Sequence, residues 1–99
     1  MSENPLQTIE RLDPELFRLV EETRKLALDD GALSRRFKLL IALALDAAAG
    51  TADGVRSLAS AAMQAGATRE EIAETLRVAQ YISGVGSTYT AARGLRNIL

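Results

Sequence analysis

Gly66-Ala67-Thr68-Arg69-Glu70-Glu71-Ile72 is the stretch on which the reading of this 99-residue chain turns. A threonine with a glutamate three positions later forms a capping box. The hydroxyl accepts the third helical N–H, and the carboxylate reaches back to the N–H of the cap. A helix therefore starts at Arg69. Gly66, just upstream, is the residue type that most readily ends a helix. One helix stops and the next begins within three residues, as in a packed helical domain with short connections.

The segments on either side carry the same period. Upstream, Ala52, Val55, Leu58, Ala59, Ala62 and Met63 form one apolar face, with Thr51 or Asp53 as the cap; Asp53 is read as the N-cap. Before Gly50 lies a helix capped by Ser34, in which Phe37, Leu39, Leu40, Ile41, Leu43 and Leu45 are apolar nearly all round. Such a helix belongs at the centre of a bundle or an assembly. Asp13-Pro14 opens an earlier helix, since aspartate caps and proline suits the first helical position. Its stripe is Leu16, Leu19, Val20, Thr23, Leu26 and Ala27, and Asp29-Asp30-Gly31 ends it with two solvated acids. Residues 1–12 read as a polar leader with Leu6, Ile9 and Leu12 at helical spacing, a loose turn or an arm that packs on a neighbour.

Downstream, the helix from Arg69 to about Ile82 places Ile72, Leu76, Ala79 and Ile82 inward and Glu70, Glu74 and Arg77 outward. Gly84-Val85-Gly86-Ser87 is the most flexible punctuation in the chain. A last helix from Thr88 points Tyr89, Ala92, Leu95 and Ile98 or Leu99 inward, with Ser87 as a possible cap. No strand pattern occurs. The expected fold is all-α, with about five to six helices counted from capped periodic segments.

Composition narrows the function. Thirteen acids against twelve bases leave no basic excess for nucleic acid. Without cysteine there is no disulfide and no thiolate, and without histidine the usual neutral-pH proton carrier is absent. The usual zinc ligands go with them. The pairs Glu21-Glu22, Asp29-Asp30 and Glu70-Glu71 read as solvated faces. Arg35-Arg36 opens a helix where positive charge opposes the dipole; solvent exposure is the default there, with a hint of an acid from another helix or subunit. The longest apolar run, Leu39 to Leu45, is too short for a bilayer. Met-Ser-Glu-Asn-Pro lacks the basic and apolar regions of a signal peptide. A cytoplasmic location and no membrane contact are the expectations. Aromatics make up only 4% of residues, so a core of Leu, Ala, Ile and Val must bring helices close together.

The ordered set of Gly66-Ala67-Thr68-Arg69-Glu70-Glu71-Ile72, the alanine-rich helix before it and the helix closing in Tyr81-Ile82-Ser83-Gly84 resembles the carboxymuconolactone decarboxylase family, which includes the alkylhydroperoxidase D-like proteins. The resemblance spans roughly residues 12–98, within the usual boundary error of such readings. It implies a single helical domain over 13–99 that assembles with itself as a trimer or a hexamer. In the redox branch of that family a glutamate, a Cys-x-x-Cys pair and a histidine act together. Aligned through Gly66-Ala67-Thr68 and through Lys38-Leu39-Leu40-Ile41-Ala42, the glutamate falls on Leu39, the cysteines on Thr51 and Gly54, and the histidine on Leu58. The decarboxylase branch's histidine also falls on Leu58. The implied chemistry is therefore missing, and no cofactor or metal is expected.

Two readings of activity remain open. One is a non-redox member, a structural oligomer or a binder of a small hydrophobic ligand, with Leu39, Thr51, Gly54, Leu58 and Ser83 at the positions that match the family site. The other is an enzyme with relocated acid–base chemistry on a carboxylate-bearing or lactone-type substrate, using Asp46, Arg56 and Tyr81. Asp46 lies seven residues after Leu39 and so on nearly the same helix face. It is either an acid or base in a modified pocket, or the structural partner of an arginine, a threonine or a helix N-terminus. Arg56 either pairs with Asp46, anchors an anion, or lies on a solvated face or at an intersubunit contact. Tyr81 is expected in the core with its hydroxyl satisfied. Assembly with a cysteine-bearing paralogue is a third possibility.

Overall fold

The computed structural model describes residues 5–99. The chain forms six helices, α1 (Leu6–Leu12), α2 (Pro14–Leu28), α3 (Arg35–Ala49), α4 (Ala52–Gln64), α5 (Arg69–Ser83) and α6 (Val85–Leu95), with no strand among the described residues. Local chemistry sets most boundaries. Asp13 accepts the N–H of Leu16 at the start of α2, with Pro14 at its first position. Ser34 caps α3 through the N–H of Phe37. Thr68 and Glu71 close both halves of the capping box at α5. Gly50 ends α3 in the left-handed region (φ 83°), which costs other residues roughly 1–2 kcal/mol.

α3 runs through the centre and packs on α4, α5 and α6. The core consists of Leu39, Leu40, Leu43 and Ala47 from α3, Val55, Ala59 and Ala62 from α4, Ala67, Ile72 from α5 and Ala91 from α6. Leu58, Met63, Leu76, Leu95 and Ile98 lean on it. Alanines at five of these positions let the elements approach closely, the consequence expected from the shortage of aromatics.

Several expectations are corrected. The segment after Pro5 is a helix, α1, which folds back on α2; the first four residues of the expected leader lie outside the described residues. α2 buries none of its residues within the protomer, and Leu26 is 83% exposed. α3 is not covered all round, because Phe37, Ile41 and Leu45 face outward. Ile82 is exposed, beyond the point where α5 has a neighbour to cover it. α6 begins at Val85, so the glycine-rich segment reduces to a one-residue break at Gly84 (φ 91°) and Gly86 and Ser87 are helical. Ser87 is no cap; its hydroxyl donates to the Gly84 carbonyl. The buried face of α6 is Ser87, Thr90, Ala91 and Gly94, while Tyr89 and Ala92 face out. The register follows size. A Cβ added at Gly94 would lie 2.5 Å from the Ala52 carbonyl oxygen, so α4 and α6 meet where a tyrosine has no room.

Asp29 and Asp30 are not merely solvated. Asp29 pairs with Lys25 at 3.3 Å, and Asp30 accepts the backbone N–H of Arg35 at 2.6 Å, satisfying an N-terminal donor of α3. The partner hinted at for Arg35-Arg36 exists as well. Arg36 forms an ion pair with Glu71 of α5 and lies 5.0 Å over the Phe37 ring. Glu71 is thus cap and ion-pair partner, not a solvated acid.

Candidate functional site

Leu39 leaves α3 into the core and is 1% exposed. Leu58, from α4, packs on the same core and is half-buried. The two leucines therefore occupy helix–helix contact, with no polar neighbour in need of satisfaction; no buried side-chain nitrogen or oxygen among the described residues lacks a partner. About two turns further along α3, Asp46 meets the first turn of α4. A Cβ built on Gly54 would fall 2.0 Å from Oδ2 of Asp46 and 3.2 Å from Cγ2 of Thr51. The aspartate, Thr51 and Gly54 are thus brought together, and the carboxylate fills the space into which any side chain at position 54 would project. A carboxylate beside a helix N-terminus is favoured by the helix dipole.

Asp53 does not cap α4. Thr51 is the N-cap residue, without a side-chain hydrogen bond, and Asp53 is the second helical residue, exposed in the first turn. There its charge suits the dipole without serving as a cap.

The other sequence candidates are held apart. The Arg56 guanidinium donates to the carbonyls of Gly94 (3.3 Å) and Arg96 (2.7 Å) at the end of α6. It closes the C-terminus of that helix, where unpaired carbonyls favour a cation. Tyr81, expected in the core, is 86% exposed on α5. Ser83 is exposed and donates to the Ala79 carbonyl at 2.7 Å, an ordinary bond of a serine to its own helix. Asp46, Arg56 and Tyr81 line none of the pockets described below. Among the described residues no group of three acids is placed to hold a metal ion.

The concave surfaces lie elsewhere. A groove of about 660 Å³ runs between α3 and α5, walled by Phe37, Leu40, Ile41, Ala44, Leu45 and Val78, with Glu71, Glu74 and Thr75 along one side. Its floor is apolar and its acidic rim includes Glu71. The Glu71 carboxyl is held below its ordinary value, first by the Thr68 backbone N–H and then by the Arg36 guanidinium, against the opposing effect of partial desolvation. A second, charged cleft of about 450 Å³ lies between α2 and the start of α3, lined by Phe17, Arg18, Glu21, Arg24, Lys25 and Arg35, among others. Sequence reading missed the groove. Its signal was Phe37, Ile41 and Leu45 at i, i+4 and i+8 on a helix whose other face, Leu39, Leu40 and Leu43, already filled the core.

The model of the carboxymuconolactone decarboxylase family matches residues 14–96. Among solved structures, the chain is similar to a carboxymuconolactone decarboxylase family protein from Legionella pneumophila, crystallised in its apo form. Identity is 34%, the TM-score is 0.85, and the match covers 91% of this chain and 80% of that one. No curated protein matches the chain in sequence. No helix among the described residues is long and apolar enough to cross a membrane.

Proposed function

The chain belongs to the carboxymuconolactone decarboxylase family, and from that premise we propose that it is a non-redox member working as a homo-oligomer, a trimer or a hexamer in the cytoplasm. Its role is structural or the binding of a small hydrophobic ligand. The observation that carries this reading is the packing at the positions that the alignment through Gly66-Ala67-Thr68 matches to the family's site. Leu39 is buried, Leu58 leans on the same core, and Asp46 fills the space beside Gly54. On the alignment through Gly66-Ala67-Thr68, these are the glutamate, histidine and second cysteine positions of the redox branch. A thiol route needs a thiolate, and the chain has no cysteine. A histidine-dependent proton transfer is equally without its carrier. Self-assembly is supported by fourteen large, mainly apolar side chains left exposed among the described residues, from Leu12 to Leu99.

The alternative is chemistry relocated to Asp46, Arg56 and Tyr81. Arg56 is engaged with α6, Tyr81 stands on the surface, and no pocket gathers the three, so nothing in the geometry favours it. One assay separates the readings. The purified protein is incubated with an organic hydroperoxide plus a dithiol reductant, and separately with a carboxylate-bearing lactone. Neither should be consumed above the buffer rate. Peroxide turnover would refute the non-redox reading. Lactone turnover that disappears in Asp46→Asn would establish the alternative.

A further inference from the structure

The α3/α5 groove has a direction. On α5 its residues are Glu71, Glu74, Thr75 and Val78, at i, i+3, i+4 and i+7, so they share one face of the helix. The same face continues to Ile82, which is 77% exposed. On α3 the facing residues run from Phe37 to Leu45 with the same spacing, over roughly 12 Å of helix. The Arg36–Glu71 ion pair ties the first turns of the two helices together. Both acids therefore lie toward the start of α5, and the walls become wholly apolar toward Leu45 and Val78.

The polar side chains of these walls are committed, with one exception. Glu71 is held by Arg36 and by the Thr68 backbone N–H. The Thr75 hydroxyl donates to the Glu71 carbonyl at 2.8 Å. The Glu74 carboxylate has no ion-pair partner among the described residues, and no base lines the groove. Position 78, one turn beyond Glu74, is where a lysine would pair with it along the helix, and it holds valine. Arg77 is the nearest base along α5, but it stands outside the walls and forms no ion pair with Glu74. The groove thus joins an apolar bed to one uncompensated negative charge near one end. Its volume of about 660 Å³ falls within the range of roughly 300–1,000 Å³ usual for small-molecule sites.

We infer that this groove binds an amphiphilic monocation, a small molecule whose hydrocarbon body lies along Phe37, Ile41, Leu45 and Val78 and whose ammonium group meets the Glu74 carboxylate. This rests on the ligand-binding reading proposed above and names the class of ligand. Charge makes the selection. An anionic amphiphile would bring its carboxylate toward Glu74 with no base in the walls to offset the repulsion. A neutral one would leave the carboxylate without a partner. A single free carboxylate calls for one positive charge, where a basic helix from another protein would bring several.

The probes are octylammonium, octanol and octanoate, which share one hydrocarbon tail and differ in the charge of the head. Each is titrated into isotope-labelled protein at low salt, where screening is weakest, and followed by amide shifts, with light scattering on the same samples. The expected result is saturable shifts centred on Ile41, Ala44 and Val78. Octylammonium should bind about fivefold more tightly than octanol, the upper end for an exposed ion pair, and octanoate more weakly than either. Glu74→Gln should remove this order, and Ile41→Gln should weaken all three probes. Both side chains are exposed, so the fold should survive, and the spectra verify it. Equal binding of octylammonium and octanol by the unmodified protein, or an order that persists in Glu74→Gln, overturns the cation while leaving a hydrophobic ligand in place. Binding that appears only as the assembly loses mass means that a second copy covers the groove, which overturns the inference as well. If no probe moves the groove amides, the site itself is refuted, and of the proposed function only the structural role stands.

Discussion

Replacing Gly94 with alanine in α6 sets two effects of opposite sign against each other, and the structure decides between them. Alanine is the better helix former by about 1 kcal/mol in a helix interior, so propensity alone predicts a more stable protein. The added Cβ, however, lands 2.5 Å from the Ala52 carbonyl oxygen and 3.0 Å from Cβ and Cγ1 of Val55. Ordinary contact begins at 3.4 Å, so α4 and α6 would have to part by 0.9 Å (3.4 minus 2.5) along that line. The obstacle is backbone, which cannot swing away as a flexible side chain can, and Val55 is fully buried. Overpacking of this kind costs roughly 1–3 kcal/mol. It also disturbs the carbonyls of Gly94 and Arg96 that hold Arg56. The net expectation for Gly94→Ala is a loss of about 1–2 kcal/mol. That corresponds to a midpoint roughly 5–15 °C lower for a domain of this size. Gly86→Ala is the internal control, because Gly86 lies in the same helix with nothing within 4 Å of its added Cβ. It should gain up to about 1 kcal/mol. Urea titrations followed by far-UV circular dichroism, at one protomer concentration because assembly adds to apparent stability, give both numbers. If the two variants shift the midpoint in the same direction, the close approach of α4 and α6 is wrong.

Leu39→Ala should cost about 2–5 kcal/mol in the same titration, the range for emptying a fully buried leucine site; a loss below 1 kcal/mol would mean that position 39 lines a flexible cavity. Glu71→Gln tests the capping ion pair by pH. A carboxyl held below its ordinary value of 4.5 in the folded state contributes stability above that value and loses it as pH falls through the folded value. Glutamine can still accept from the Thr68 N–H, so the variant should be the less stable protein at neutral pH. The difference should shrink on acidification below about 4.5, and a difference that stays constant down to acid pH would show that Glu71 acts only as a neutral cap.

The helix boundaries were readable wherever a side chain closes a backbone group. Asp13-Pro14, Ser34, Gly50 and the Thr68–Glu71 box all sit where their chemistry places them. The errors share a cause. Assigning Tyr89, Tyr81 and Ile82 to the interior assumed that large apolar side chains go inward, but burial depends on whether a neighbouring helix is present and how near it runs. α6 approaches α4 so closely that only Ser87, Thr90, Ala91 and Gly94 fit, and α5 outlasts its cover before Tyr81. Asp53 is a different case, local chemistry read two positions out of register, since aspartate is favourable both as a cap and within the first turn. Arg56 shows the limit of reading spacing alone. Its partners, the carbonyls of residues 94 and 96, are backbone groups 38 and 40 positions away in sequence, and no residue type announces them.

On the alignment proposed above, the packing of this protomer and the absence of polar groups at the family's site positions rest on the same residues. A glutamate at position 39 would sit where Leu39 is 1% exposed, and a buried carboxylate needs a partner or must take up a proton. On the alignment proposed above, the natural partners would stand at positions 54 and 58, now glycine and leucine. Leucine at 39 and 58 removes that demand together, and a glycine at 54 lets Asp46 settle against the first turn of α4. Restoring one polar group alone would therefore leave an unpaired charge in the core, and restoring a side chain at 54 would first have to displace Asp46. On that alignment, packed leucines stand in the interior where the family would keep polar groups. What remains open lies outside: the exposed leucines of α2, the α3/α5 groove, and the patch of Tyr81, Ile82, Val85 and Tyr89. The proposed function is therefore to be sought on these outer faces and not at positions 39 and 58, where leucines pack into the core.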